Sequence, residues 1–365
     1  MFKFLNLQPE VFGIDINDLS LRIVKLKKKQ KGFALVSFNE IEMKPGVVKE
    51  GVIQDQQALV EIIKLACNTV KGKKLNTRYV ILSLPEEKSF SQVIQMPNMT
   101  YEELKLAVLF EAENYIPLAI DKVYLDFQII DTREEDSSHL HLLINVMPKS
   151  IVDSYVSCFK KAGLIPYILE LESQAIVRAL IKNRGSDSSL IFIDLGGSNT
   201  NFIIFSGNSI RFTSSIPISS QQLTSAIAES FNINFDKAET LKTKYGLAGK
   251  KENYNIKAIT APVLHDLTTQ IKKYINFYKG HVSHEYFSSS GKIEKIILCG
   301  GGANLRNLPE FLSDELKIPV ELGDPLINII SKKKNGEDIM PRERALSFTT
   351  ALGLALRGTR NESEI

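Results

Sequence analysis

The chain has 365 residues, 44% hydrophobic and 24% charged, which excludes a disordered protein and suffices for two to four subdomains. A formal net charge of +3 gives no overall electrostatic case for nucleic acid, and no apolar run approaches the roughly 20 residues needed to span a bilayer. Cys67, Cys158 and Cys299 are scattered within apolar runs, which fits buried reduced thiols; no His, Cys and carboxylate set has metal-ligand spacing. Residues 1–7 lack the apolar core and cleavage site of a secretory signal, so a cytoplasmic protein is expected.

The chain opens on an apolar strand, Phe12-Gly13-Ile14-Asp15-Ile16, which turns at Asn17-Asp18 into a second β-rich strand, residues 19–26. A third strand is predicted over 32–38, and the lysine run 25–31 between them reads as a solvated hairpin. Leu59, Ile62, Ile63, Ala66 and Val70 have helical spacing, predicting a helix over 56–70; residues 79–84 read as a buried strand ended by Pro85. Thr100 ahead of Glu102-Glu103 caps a helix that runs to about Tyr115 and stops at Pro117, and its apolar stripe reads as core. Strands over 123–130 and 140–147 flank a polar loop at 131–138, and an amphipathic helix over 150–162 ends at Gly163. This α+β stretch is large enough for a small domain.

A second unit then repeats the first. Ile191-Phe192-Ile193-Asp194 ends in the turn Gly196-Gly197-Ser198-Asn199 and continues as Thr200 to Phe205, with a third strand over 209–215. Two related halves are therefore expected. Helices follow over 219–231, 236–245 and 260–281, then a strand over 295–299, Gly300-Gly301-Gly302, a helix over 308–316 and a short strand over 320–322. The final helix, over 344–356, carries Ala345, Ala351, Gly353 and Ala355 and can pack closely on a neighbour.

The residue types point to a polyphosphate with a divalent cation. Such a ligand needs backbone amides at close range and carboxylates to hold a hydrated metal, and Asp194-Leu195-Gly196-Gly197-Ser198-Asn199-Thr200 offers both. Asp-x-Gly-Gly is also a common hairpin, and its weight comes from Asp15 and the triple glycine. Gly300 to Gly302 follow a strand and precede a helix but lack the spacing of a dinucleotide fingerprint. Glu239 and Lys242, three apart on one helix face, could bracket a ribose or be an exposed ion pair. His139, His141, His265, His281 and His284 read as surface or loop residues, and no nucleophilic triad is legible.

The order of these motifs resembles the actin/Hsp70/sugar-kinase superfamily and, within it, FtsA and the PilM family of type IV pilus assembly proteins. Gly51-Val52-Ile53-Gln54-Asp55, Glu111-Ala112-Glu113-Asn114-Tyr115-Ile116-Pro117 and Leu169-Glu170-Leu171-Glu172-Ser173-Gln174-Ala175 are similar to PilM segments. The resemblance implies an α/β actin-like ATPase fold: two duplicated ribonuclease-H-like halves with an inserted α+β domain. Residues 1–44 and 166–185 would form the first half, 45–165 the insert, 186–345 the second half, and 346–365 a helix returning to the first half. It implies ATP and Mg2+ as ligands, with Asp15 and Asp194 facing the metal through water. Asn17 and Arg22, the turn Gly196, Gly197, Ser198, Asn199 and Thr200, the pair Glu239 and Lys242, and Gly300, Gly301, Gly302 and Asn304 would surround the nucleotide. Glu172 would be the catalytic candidate.

The family's first phosphate loop carries glycine and serines where this chain has Asn17-Asp18-Leu19, with Arg22 near the basic position. Asn17 would tolerate left-handed geometry, whereas Asp18 would set a negative charge before the phosphate, costing roughly 1–4 kcal/mol unless magnesium or Arg22 offsets it. The expected function is an ATP-binding scaffold with at most slow turnover. It would sit at the cytoplasmic face of the inner membrane by gripping the short cytoplasmic tail of a PilN-like protein in a groove beside the insert. A pilus motor ATPase or platform protein and a second copy of the chain are further expected partners. The alternatives are an active ATPase or phosphotransferase, a scaffold without nucleotide, and a type II secretion platform homologue.

Overall fold

The computed structural model describes residues 9–30, 32–130, 139–182, 189–248, 255–281, 292–330 and 340–359. The loop at 131–138, the lysines at 332–334, His284 and the last six residues lie outside them. The chain begins with β1 (Val11–Ile16), β2 (Ser20–Lys29) and β3 (Gly32–Glu42), followed by the short strands β4 (Val48–Lys49) and β5 (Val52–Ile53). Helix α1 (Gln56–Asn68) and the short β6 (Lys71–Gly72) lead to β7 (Tyr79–Leu84). Then come β8 (Phe90–Pro97), α2 (Tyr101–Ala112), β9 (Val123–Ile130) and β10 (His139–Pro148), and next α3 (Lys149–Lys161), β11 (Ile165–Leu171) and α4 (Glu172–Leu180).

The second half holds β12 (Ser189–Leu195), β13 (Thr200–Ser206) and β14 (Ser209–Ile216), then α5 (Ser220–Phe231), α6 (Phe235–Tyr245) and α7 (Ile256–His281). It closes with β15 (Ile293–Cys299), α8 (Leu308–Leu316), β16 (Val320–Leu322), α9 (Arg342–Ser347) and α10 (Thr349–Arg357).

The duplication is visible in strand order. The first sheet runs β11-β7-β1-β2-β3-β6 and the second β16-β15-β12-β13-β14, so each half has an antiparallel meander with two parallel strands added beside its first strand. Parallel neighbours need crossovers, and helices supply them. The sheets are buried on both faces, and β1 and β13 are accordingly buried at every residue.

The insert is smaller than the sequence suggested. Residues 45–89 and 149–165 belong to the first half, because β7 pairs in parallel with β1 and β11 pairs with β7. Only β8, α2, β9 and β10 form a separate three-stranded sheet, ordered β8-β10-β9, with a helix on it. The alternating residues of β10 divide its two faces. Leu142, Ile144 and Val146 pack with Leu104, Val108 and Ala112 of α2, while Leu143 joins the core of the second half. Thr100 caps α2 as expected, and Glu103 completes a capping box not singled out from the sequence.

Four local readings change. Lys25 is buried, ion-paired to Glu10 and bonded to Asn76, whereas Lys27, Lys28 and Lys29 are exposed. His141 is buried on β10, not on the surface. The apolar residues of α2 do not all face the core, since Leu106, Leu109 and Phe110 are exposed. The last helix is two, broken at Phe348, a fully buried ring that meets Phe38 edge-on at 6.0 Å. Among the described residues no helix is long and apolar enough to cross a membrane.

Candidate functional site

β1 and β12 end at one cleft of about 640 Å3 between the halves. Hairpin register places Arg22 opposite Asp15 and, at the matching position of the second half, Asn201 opposite Asp194. The Asp15 carboxylate accepts from the Ser83 hydroxyl at 2.9 Å and lies 3.8 Å from the Arg22 guanidinium, which donates to Glu40 at 2.8 Å. Burial raises Asp15 above the ordinary carboxylate range, with Arg22 opposing. Asp194 is pushed up to about 6 by burial first and the facing Asp15 charge second, so the two strand tips feel each other.

The two turns are built differently. In the first, the Asn17 side-chain oxygen accepts from the backbone N–H of Leu19 at 3.0 Å and of Ser20 at 2.9 Å. Asn17 thus shapes the turn by side-chain hydrogen bonding rather than by left-handed backbone, since its φ is not positive. Asp18 points away from the cleft. It accepts from the backbone N–H of Glu50 and Gly51 at 2.8 and 3.1 Å, so its charge is spent on the β4–β5 hairpin and not set against a phosphate.

In the second turn, the Gly196 N–H donates to the Asn199 carbonyl at 2.9 Å. The first amides of α5, Ser220 and Gln221, donate to the Gly196 and Gly197 carbonyls. A Cβ at Gly196 would fall 2.7 Å from the Asn199 carbonyl oxygen, which is why the tight turn needs glycine there.

Glu172 opens α4 and is buried. Its carboxylate accepts from Asn201 at 2.8 Å and from the Glu86 N–H at 3.4 Å; burial, then the Glu87, Asp15 and Asp194 charges, raise it well above the usual range. Glu239 and Lys242 are an ion pair at 2.7 Å in which the glutamate is 44% exposed and the lysine buried. Lys242 is 5% exposed and also donates to Ser220 and Thr224, and burial lowers its pKa while Glu239 opposes. Asn304 uses its amide to tie the glycine loop to the Glu343 carbonyl.

Of the residues predicted from sequence, Asp15, Asn17, Arg22, Glu172, Asp194, Gly196, Gly197, Ser198, Asn199, Glu239, Lys242, Gly300, Gly301, Gly302 and Asn304 all line this cleft. Thr200 does not. It is fully buried and its hydroxyl donates to the Ile218 carbonyl at 2.6 Å, because position 200 already points into the sheet. Sequence reasoning missed Glu40, Glu42, Asn201, Ser220 and Asp236. The first two come from β3, and only tertiary pairing brings them in. Asn201 was recoverable, as the hairpin partner of Asp194.

Seven carboxylates and two basic side chains line the cleft, so a polyanion entering it needs a cation. The donors suit a hard divalent ion: Asp15 and Asp194 offer oxygens, and the buried side-chain oxygen of Asn201 has no hydrogen-bond partner. Among the described residues no group of three His, Cys, Asp or Glu is placed to hold a metal ion, so a cation here would be held mainly through its waters and the ligand's oxygens.

Two duplicated halves closing on one cleft make this an actin-like fold. MreB5 of Spiroplasma citri, solved with ADP bound, is similar in fold at a TM-score of 0.53 and 14% identity, over 94% of this chain and 95% of that one. A family profile described as type IV pilus assembly protein PilM matches residues 13–359, and the chain belongs to that family.

The solved PilM–PilN type IV pilus biogenesis complex is similar at a TM-score of 0.82 and 27% identity, covering 97% of this chain and 100% of that one. The cell division protein FtsA of Neisseria meningitidis serogroup B is 24% identical over 217 residues, 56% of this chain. The chain spans about half the length of that relative, 50%.

Proposed function

We propose that the chain is an ATP-binding scaffold of a type IV pilus assembly platform, whose two halves change angle with nucleotide. The observation that carries this is the convergence of Asp15 and Asp194 on a cleft whose charge demands a cation. In this reading Asp15 and Asp194, with Asn201 beside them, would hold a hydrated Mg2+ through its waters. The Gly196 to Asn199 turn meets the phosphates, Glu239 and Lys242 flank the ribose, and Gly300 to Gly302 with Asn304 line the base. Mg2+ held there would supply the positive charge that the phosphates need among these carboxylates. Arg22, shared between Asp15 and Glu40, orients the first carboxylate.

A fluorescent ATP analogue should bind with Mg2+ and lose at least tenfold in affinity in EDTA or in Asp15→Ala. Equal binding without divalent cation would remove the nucleotide reading.

The partner in this reading is the short cytoplasmic tail of a PilN-like membrane protein. A groove of about 430 Å3 runs between β9 and β10 of the insert, α4 of the first half and the β13–β14 turn, lined among others by Gln128, Asn145, Arg178 and Ile210. It is the candidate seat for an extended tail.

Hydrogen bonds join the cleft to the turn that leads into the insert. Asn199 of the second turn donates to Glu87 at 2.8 Å; Glu86 accepts from the Ser173 N–H at 3.1 Å while its own N–H donates to Glu172. Glu86 and Glu87 immediately precede β8, so turn movement reaches the root of the insert. Glu87→Ala should leave ATP affinity within about threefold while abolishing the nucleotide dependence of tail binding, read by calorimetry with and without Mg-ATP. Unchanged coupling would exclude this path.

A slow ATPase is the second reading, favoured by Glu172, a buried carboxylate lining the cleft and held by Asn201, which could serve as a general base. Phosphate release that vanishes in Glu172→Gln would support it over a pure scaffold.

A further inference from the structure

The outer stripe of α2 exposes three large apolar side chains within two turns. Leu106, Leu109 and Phe110 are 66%, 40% and 75% exposed, although this is the helix whose opposite side, through Leu104, Val108 and Ala112, closes the core of the insert. At 3.6 residues per turn, positions 102, 103, 106, 109, 110 and 113 share one side of the helix. The stripe therefore reads acid, apolar, acid: Glu102 and Glu103 at one end, Glu113 at the other, three large apolar side chains between. Lys105 stands at its edge and is ion-paired to Glu102 at 3.2 Å. Solvent does not repay exposing three such side chains on adjacent turns, and a soluble helix ordinarily turns them inward.

The charges at the two ends select what can cover the stripe. An anionic lipid surface would meet exposed glutamates at both ends. A second copy of the same helix would set acid against acid whether the two ran parallel or antiparallel, because both ends carry the same sign. The complementary occupant is a helix with an apolar stripe of two turns and lysine or arginine at both ends, spaced to match glutamates 11 residues and so about 16 Å apart. We infer that α2 is a docking surface for a basic amphipathic helix of a partner protein. The inference stands apart from the nucleotide and tail reading, since α2 covers the Leu142–Ile144 face of β10 whereas the tail groove opens at Asn145 on the other face.

The test uses the full chain and a fluorescein-labelled designed peptide, helical, with leucines on one stripe and lysines at its two ends, followed by anisotropy. Two control peptides carry glutamate in place of lysine, or the same lysines with the leucine order scrambled. Binding should weaken at least tenfold in Phe110→Ser and again in Glu102→Lys/Glu113→Lys, the latter restored by the glutamate peptide. All these side chains are exposed, so Phe110→Ser should keep the wild-type thermal midpoint, and the double variant, which gives up the exposed Glu102–Lys105 pair, should shift it only slightly.

Three results would overturn the inference. The first is equal binding of the scrambled peptide, which would reduce the effect to charge. The second is wild-type affinity in both variants, which would place the peptide elsewhere. The third is Phe110-dependent binding to phosphatidylcholine–phosphatidylglycerol vesicles, or Phe110-dependent self-association in sedimentation, in preference to the peptide, which would make a membrane or a second copy the occupant.

Discussion

Asp194 carries a proton more tightly in the folded chain than in the unfolded one, because its pKa rises from 3.8 to about 6. Between those values the folded state binds more protons, so this group's contribution to stability is fully present below about 4 and is lost as pH rises to about 6. Allowing for the partly exposed position, the loss attributable to this group is about 1–3 kcal/mol. Urea denaturation in EDTA should show that decline in the wild type and a shallower one in Asp194→Asn. Parallel pH curves would mean that the carboxylate titrates normally.

The glycine loop offers a sharper contrast. Gly300 has φ +83° and a Cβ there would collide with the Asp194 carboxylate and the Leu195 carbonyl, whereas a Cβ at Gly301 would touch only Ser347 at 3.8 Å. Gly300→Ala should cost about 2–4 kcal/mol and weaken cation binding, while Gly301→Ala should stay within about 0.5 kcal/mol of wild type. Both are read from denaturation midpoints.

At the scale of elements, α10 holds the first half together. It lies over β1, β2 and β7 and against α4, and its approach is backbone to backbone. A Cβ at Gly13 would meet the Ala351 carbonyl and the Ala355 N–H at 2.8 Å, and one at Gly353 would strike the Ala175 carbonyl. Arg178 of α4, ion-paired to Glu170, also donates to the Gly353 carbonyl.

Glycine to alanine in a free helix gains about 1 kcal/mol of helix propensity. Here overpacking of about 1–3 kcal/mol opposes that gain, with the obstacle a main-chain carbonyl that cannot rotate aside. Gly353→Ala should therefore destabilise, by a lowered urea midpoint, despite its better helix former. A raised midpoint would show that the two helices separate cheaply.

For the whole molecule, the cleft joins two halves that each have their own sheet and core, so a ligand bound across it ties the halves together. Mg-ATP at a hundredfold its dissociation constant should add about 2.7 kcal/mol of stability, seen as a thermal shift of several degrees. ATP in EDTA should add little, because seven carboxylates already line the cleft. An equal shift with and without divalent cation would contradict the electrostatic account. Removing the cation by chelation is thus as informative as removing the nucleotide.

Much of this was written locally. The repeated strand-Asp-turn-strand pattern fixed the duplicated halves, since period-two apolar runs and turn residues act over a few neighbours, and Thr100 and Gly196 marked a cap and a turn for the same reason. Other features were decided by residues far apart in the chain. The pairing of β7 with β1 shrank the insert; Asp18 found the amides of Glu50 and Gly51, 32 and 33 residues on, and left the cleft. Glu40 entered the cleft from β3, Thr200 was buried under Ile218, and α2 turned Leu106 and Phe110 outward with no signal in its composition. Propensity and periodicity say which way a side chain can point, but what it meets there depends on which sheet closes over it.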